Sequence, residues 1–229
     1  KPSSLTSLRI NSLSINKENQ VSTDCSQADT LIVLDFETTG LSPDMGDRAI
    51  EIGAVLVEKG IIKDRFQALM NPGMRISSFI EDYTGITNAM LSDAPPCADV
   101  MKEFGHFIDG YNLVAHNASF DKRFLDAELS RISCTYSGEF GCSLLAARRI
   151  FQDAPNHQLG TLVSYTNIPS DGTFHRALYD SEMTAKLWLA MLDTIGERYD
   201  IFDLPFSVIQ KLSKVPKKSV HAFWQKQQA

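Results

Sequence analysis

An apolar strand that ends in two acids limits this chain more than any other stretch: LIVLDFETTG, residues 31–40. A strand's period of two puts Leu31, Val33, Asp35 and Glu37 on one face, with Ile32, Leu34 and Phe36 on the other. One face therefore changes from apolar to doubly acidic in a single step. Either the strand emerges into water there, or the two carboxylates serve a site; the pair alone leaves both readings open.

The neighbouring sequence says what kind of sheet this strand belongs to. AIEIGAVLVEKGIIKDRFQALMNP, residues 49–72, is two apolar runs joined at Glu58-Lys59-Gly60, which predicts an antiparallel hairpin. YNLVAH, 111–116, predicts a short strand, and helices are expected at 87–92, 97–109, 118–131, 142–151, 158–165 and 176–195, with Asn117 as the N-cap of the third. Three strands in hairpin order followed by alternating helix and strand give an α/β domain with a mixed sheet. Asp35 and Glu37 then lie at the end of a central strand, where open α/β sheets commonly bind ligands.

Spacing brings in further acids. Ala177, Asp180, Thr184, Leu187 and Met191 recur at intervals of three and four, one stripe of a helix, so Asp180 belongs to the core-facing side one turn from the N-terminal end. A buried carboxylate needs a partner, and no basic residue shares the stripe. Asp121 falls in the first turn of its helix, where the dipole alone explains a negative charge. If all four acids converge, that explanation no longer suffices. Two carboxylates about 4 Å apart repel by roughly 4 kcal/mol at an effective dielectric near 20. Four of them must take up protons or bind cations, and hard oxygen ligands without a thiolate or imidazole cluster suit Mg²⁺ or Mn²⁺. His175 precedes Asp180 by five residues, too far around a helix to share its face, so a loop position after Asp171-Gly172, above the acids, is expected. His106, His116, His157 and His221 read as structural or exposed, and Cys25, Cys97, Cys134 and Cys142 as reduced thiols, since none forms a CxxC pair.

Three motifs now stand in register: DFETTG (35–40), NASFD (117–121) and HRALYD (175–180). They resemble the three exonuclease motifs of the DEDD superfamily in its histidine-bearing branch, the DnaQ-like group that includes the proofreading subunit of bacterial DNA polymerase III. The resemblance extends over residues 31–195 through IEIGAVLVEKG, TGITNAML, AARRIF and HQLGTL. It implies an RNase H-like fold, a mixed β-sheet flanked by helices, and two-metal hydrolysis from a 3′ end. By that resemblance Asp35, Glu37, Asp121 and Asp180 hold two Mg²⁺ or Mn²⁺ ions and His175 is the general base. Thr38 meets the terminal 3′-hydroxyl through its backbone, Leu41 and Phe120 wedge or stack against the last bases, and Asn117 also belongs to the substrate site. The expected substrate is the 3′ end of single-stranded DNA, with RNA as the alternative, a non-catalytic nucleic-acid-binding module as a lesser one, and a polymerase as partner. The sequence departs from the pattern at Thr84, where some relatives carry His, and at Cys142-Ser143, where many carry Asp-Thr or Asp-Ser.

Rival folds are weaker. An aspartyl-phosphate hydrolase wants Asp at both positions of the acidic pair and a later Lys, and neither a GxGxxG nor a P-loop follows the strand.

Charge fits an enzyme that holds only a strand end. The net charge of −6 argues against a long basic grip on nucleic acid. Without the four acids it is −2, and two divalent ions would add +4. The distribution is uneven: no acid follows Asp203, whereas Lys211, Lys214, Lys217, Lys218 and Lys226 do, giving +5 there and −11 before. The chain thus divides into a polar leader (1–30) that docks weakly or stays mobile, an exonuclease domain (31–195) and a basic extension (196–229). The extension reads first as a solvated segment, with phosphate contact as the second reading. No apolar run reaches the roughly 18 to 20 residues of a membrane span, and a cytoplasmic location is expected.

Overall fold

A computed structural model describes residues 25–171 and 175–228. The acid-tipped run is strand β1 (Leu31–Thr38). Strand β2 (Ala49–Glu58) returns antiparallel to it, Leu31 opposite Val57 and Glu37 opposite Glu51, and β3 (Ile61–Leu69) continues the hairpin. Between β2 and β3, Lys59 and Gly60 both take positive φ, the conformation whose twist matches the flanking strands. On the other side of β1, β4 (Leu113–Ala115) runs parallel to it and β5 (Phe140–Cys142) parallel to β4, so the order is β3-β2-β1-β4-β5. This mixed sheet flanked by helices is the fold class expected from sequence.

Nine helices are seen among the described residues: α1 (Ser78–Thr84), α2 (Asn88–Asp93), α3 (Cys97–Phe107), α4 (Ser119–Arg131), α5 (Ser143–Ile150), α6 (Leu159–Tyr165), α7 (Ala177–Tyr199), α8 (Phe206–Lys214) and α9 (Val220–Gln225). The period of two in β1 sorts the core into two layers. Leu31 and Val33 pack with Val55, Val114, Leu187 and Trp188, under α5, α7 and α8, while Ile32, Leu34 and Phe36 pack with Phe104, Phe124 and Leu125 of α3 and α4. Asp35 and Glu37 continue the α7 face.

Four sequence expectations change. Asn117 is not a helix cap: it sits at φ 67, a left-handed conformation that Asn tolerates, and the residue before α4 is Ala118, which makes no side-chain cap bond. Helix α1 was not expected, because its apolar Phe79 and Tyr83 face outward and spoil the amphipathic period; Ser77 accepts from the Ile80 amide at its start, and Gly85 closes it in the left-handed conformation. Strand β5 precedes the helix expected at 142–151.

The fourth change concerns the ends. The basic extension is not a solvated segment: Phe206, Ile209, Leu212, Val220 and Trp224 are buried in the same layer as Trp188, while the five lysines stay exposed. Residues 25–30 are likewise pinned. Ala28 donates its amide to Leu204 O at 2.7 Å, Phe206 N donates to Ser26 O at 2.7 Å, and Trp188 Nε1 donates to Ala28 O at 2.7 Å. The rest of the leader, 1–24, lies outside the described residues. Among the described residues no helix is long and apolar enough to cross a membrane.

Candidate metal centre

The C-terminal half of β1 carries Asp35 and Glu37 out of the core toward the first turn of α7. Helix α7 can meet the sheet so closely because Gly53, opposite Asp35 on β2, has no side chain: a Cβ there would lie 2.1 Å from the Leu178 amide nitrogen. Ser181 Oγ donates to Gly53 O at 2.8 Å, and the expected stripe of Ala177, Asp180, Thr184, Leu187 and Met191 is buried throughout. Asp180 is thereby delivered to the β1 acids. One carboxylate oxygen from each of Asp35, Glu37 and Asp180 falls within 4.8 Å of the others. Asp121 approaches from α4, buried, with Oδ1 accepting from the Phe36 amide at 3.1 Å, directly between the two β1 acids in sequence.

The electrostatics follow from that crowding. Burial, then Asp121, Glu37, Asp180 and Glu51 in turn, push the Asp35 carboxyl well above the usual carboxylate range. Burial and the Glu51, Asp180 and Asp121 charges push Glu37 up to about 8, with Arg176 opposing weakly. Burial pushes Asp121 up to about 7 against the hydrogen bond from Phe36. Asp180 is also raised, chiefly by burial, although His175 N donates to its Oδ2 at 3.0 Å. Its other oxygen, Oδ1, is buried with no hydrogen-bond partner.

Two further buried acids serve as an internal comparison. Glu128 binds Arg48 through both carboxylate oxygens at 2.7 and 2.9 Å, and Glu51 binds Arg176 at 2.8 and 3.2 Å. Where this fold needs to bury a carboxylate for structure, it supplies a guanidinium. No ion pair to Asp35, Glu37, Asp121 or Asp180 occurs among the described residues. An all-carboxylate, hard-oxygen set with an orphaned buried oxygen fits divalent Mg²⁺ or Mn²⁺.

His175 lies on the approach to α7, as expected, although Gly172 before it falls outside the described residues. It is exposed, held at φ 75, and its ring lies 4.3 Å from that of Tyr83 on α1. Thr38 is buried where the β1–β2 register slips, and its hydroxyl donates to Gly40 O at 2.6 Å. Leu41 is 76% exposed just beyond. Phe120 is half-buried against Phe124, and Asn117 is exposed at the turn before α4. His116 is structural: burial lowers its pKa to about 4, so the neutral ring donates from Nε2 to His157 O and accepts at Nδ1 from Ser143. Thr84, the departure from the pattern, closes α1, its hydroxyl donating to Ile80 O and accepting from Ile86 N.

Sequence reasoning missed Glu51, Arg176 and Tyr83. Glu51 is wholly buried, accepts from Ala177 N at 3.2 Å and Gln67 Nε2 at 2.9 Å, and with Arg176 clamps the start of α7 to β2. Its one signal was an acid inside an otherwise apolar strand.

Comparison with known proteins agrees with this geometry. A family described as Exonuclease (RNase_T) matches residues 32–188. The DNA polymerase III PolC-type of Bacillus subtilis is 40% identical over 174 residues, 75% of this chain and 12% of that protein. The 3′-5′ exonuclease DinG of Bacillus subtilis is 33% identical over 188 residues, 80% of this chain and 19% of that protein. The chain thus spans under a fifth of either relative's length. Among solved structures, exonuclease X in complex with 5′ overhanging duplex DNA matches with a TM-score of 0.60 and 31% identity, over 72% of this chain and 93% of that one.

Proposed function

From the premise that this chain belongs to the RNase_T exonuclease family, we propose that it is a metal-dependent 3′-5′ exonuclease that releases mononucleotides from single-stranded DNA. The observation that carries this reading is the convergence of Asp35, Glu37, Asp180 and Asp121 without a basic partner, in a fold that pairs its other buried acids with arginine.

Asp35, Glu37, Asp180 and Asp121 would hold two divalent ions. Such ions supply Lewis acidity, an activated water near neutral pH and neutralisation of charge on the attacking and leaving oxygens. The protein's own groups do the rest. His175 stands at the rim, exposed, where its imidazole takes a proton from the attacking water. Its backbone donates to Asp180, so the base and a metal-holding carboxylate move together. Thr38, buried at the bulge, presents its backbone to the terminal 3′-hydroxyl, and Leu41, Phe120 and Asn117 border the last nucleotide. A polymerase module is the partner this reading favours, because the matching segment occurs within a chain that is itself a DNA polymerase.

The test uses DNA and RNA oligonucleotides labelled at either end. Mononucleotide release from the 3′ end of DNA, dependent on Mg²⁺ or Mn²⁺ and at least a hundredfold slower in Asp121→Ala, is expected. Robust cleavage in excess chelator, or full activity in Asp121→Ala, overturns the reading. Faster turnover of RNA would reassign the substrate.

A further inference from the structure

An exposed base has to be held still, and His175 is held in an unusual way. Its backbone stands at φ 75, a left-handed conformation that a residue with a Cβ keeps only where its surroundings impose it. Contact with the Tyr83 ring, centroids 4.3 Å apart, limits the imidazole from one side but leaves the backbone free. The restraints on the backbone lie on either side of the histidine Cα. Before it, the His175 amide donates to Asp180 Oδ2 at 3.0 Å. After it, the next two residues are both fastened to Glu51. Arg176 donates from Nη2 to Oε1 at 2.8 Å and from Nε to Oε2 at 3.2 Å, and the Ala177 amide donates to Oε2 at 3.2 Å. Glu51 is wholly buried in β2, lies opposite Glu37 across the strand pair, and takes a further bond from Gln67 Nε2 on β3 at 2.9 Å. The same grip recurs where Glu128 accepts from the Arg48 guanidinium and from the amide of the next residue, Ala49. The body of α7 is seated by other contacts, since Ser181 Oγ bonds Gly53 O and the helix backbone rests against Gly53.

We propose that Arg176, gripped by Glu51, is the positioning residue for His175: its fork fixes the backbone just after the histidine and so aims the imidazole at the attacking water. This rests on the exonuclease reading and adds how an exposed base keeps its place. Because Glu51 faces Glu37, one carboxylate keys the base to the strand that carries two of the four acids. The planar two-point contact matters here more than the charge, since a single ammonium on Glu51 would leave rotation about the contact open.

The test is a double-mutant cycle with a readout that needs no turnover. Arg176→Lys keeps a positive charge on Glu51 and loses the fork. It is expected to lower kcat roughly tenfold, with KM and the Mn²⁺ dissociation constant within about twofold of wild type. His175→Ala removes the base and is expected to slow turnover at least about a hundredfold. Adding Arg176→Lys to His175→Ala is expected to change the residual rate by less than about twofold, because nothing is left to position. In chelator, ¹H–¹³C spectra of histidine-labelled protein follow the His175 ring signal, assigned by its loss in His175→Ala. In wild type it is expected to be displaced by the ring current of Tyr83, and in Arg176→Lys to move to the position of a mobile histidine, while an unchanged signal from buried His116 reports an intact fold. An equal loss from Arg176→Lys with and without His175, turnover within about twofold of wild type in both Arg176→Lys and Arg176→Ala, or an unmoved His175 signal overturns the proposal. A wild type that cleaves neither DNA nor RNA oligonucleotides would sink the exonuclease reading instead, and the ring signal would still decide whether Arg176 fixes the histidine.

Discussion

At the scale of single residues, the same carboxylate chemistry does two jobs in this protein, and the neighbour decides which. Glu128 and Glu51 are acids whose charge is met by a guanidinium; Asp35, Glu37 and Asp180 are acids that each bring a carboxylate oxygen within 4.8 Å of the others and form no ion pair among the described residues. Removing one of the second kind should relieve repulsion. Asp180→Asn is therefore expected to raise the melting temperature of the metal-free protein, to shrink the rise that Mn²⁺ produces, and to slow nucleotide release at least a hundredfold; differential scanning fluorimetry and a turnover assay check the three together. Removing one of the first kind should do the opposite. Glu51→Ala leaves the Arg176 guanidinium and the Ala177 amide without their acceptor at the entrance to α7. Because Arg176 is 42% exposed, water replaces part of what is lost, and a destabilisation of about 2 kcal/mol is expected, below the 3 to 5 of a fully buried pair. Urea denaturation measures it.

At the scale of elements, the site exists because a long helix lies directly on a strand. The α7 stripe was legible from spacing, and with it the inward position of Asp180. The closeness of the approach was not, since it depends on Gly53, one glycine in a run of apolar residues. Gly53→Ala would set a methyl group among backbone atoms of Ala177 and Leu178 that cannot yield as a flexible side chain could. We expect it to displace the start of α7 and cost at least 1 to 3 kcal/mol, roughly the usual range for overpacking. A lower denaturation midpoint and weakened Mn²⁺ binding by calorimetry would register it. Helix α1 shows the converse limit. Its seven residues carry a start signal at Ser77 and a stop at Gly85, but periodicity looks for apolar residues turned inward, and Phe79 and Tyr83 are turned outward.

Taken as a whole molecule, the protein stores the repulsion of its acids in a fold that must be held from elsewhere. Without metal, Glu37 titrates near 8 and Asp121 near 7, both above their ordinary values. The fold therefore binds protons that the unfolded chain has released, so this contribution to stability is fully present below about pH 4 and is lost as pH rises through 7 to 8. Metal-free protein is expected to melt at a lower temperature at pH 9 than at pH 6, with Mg²⁺ or Mn²⁺ narrowing the gap; melting scans in chelator and in metal at both values check it. The C-terminal helices supply part of the hold. Trp224 is 1% exposed, and Trp224→Ala is expected to cost about 3 to 5 kcal/mol, measured by urea denaturation, although it lies outside the family match.

The sequence alone determined the things that follow from order and period: the central acid-tipped strand, its hairpin partner and the stripe that turns Asp180 inward. These depend on contacts within one element or on spacing along it. Tertiary structure decided what depends on pairs distant in sequence. Residue 176 meets residue 51 and neutralises a buried acid. The 204–206 segment pins residues 26–28, and the basic tail folds back onto Trp188. Tyr83 comes to rest against His175. No local pattern encodes such pairings, because each is fixed only when the whole chain has chosen which surfaces to bury.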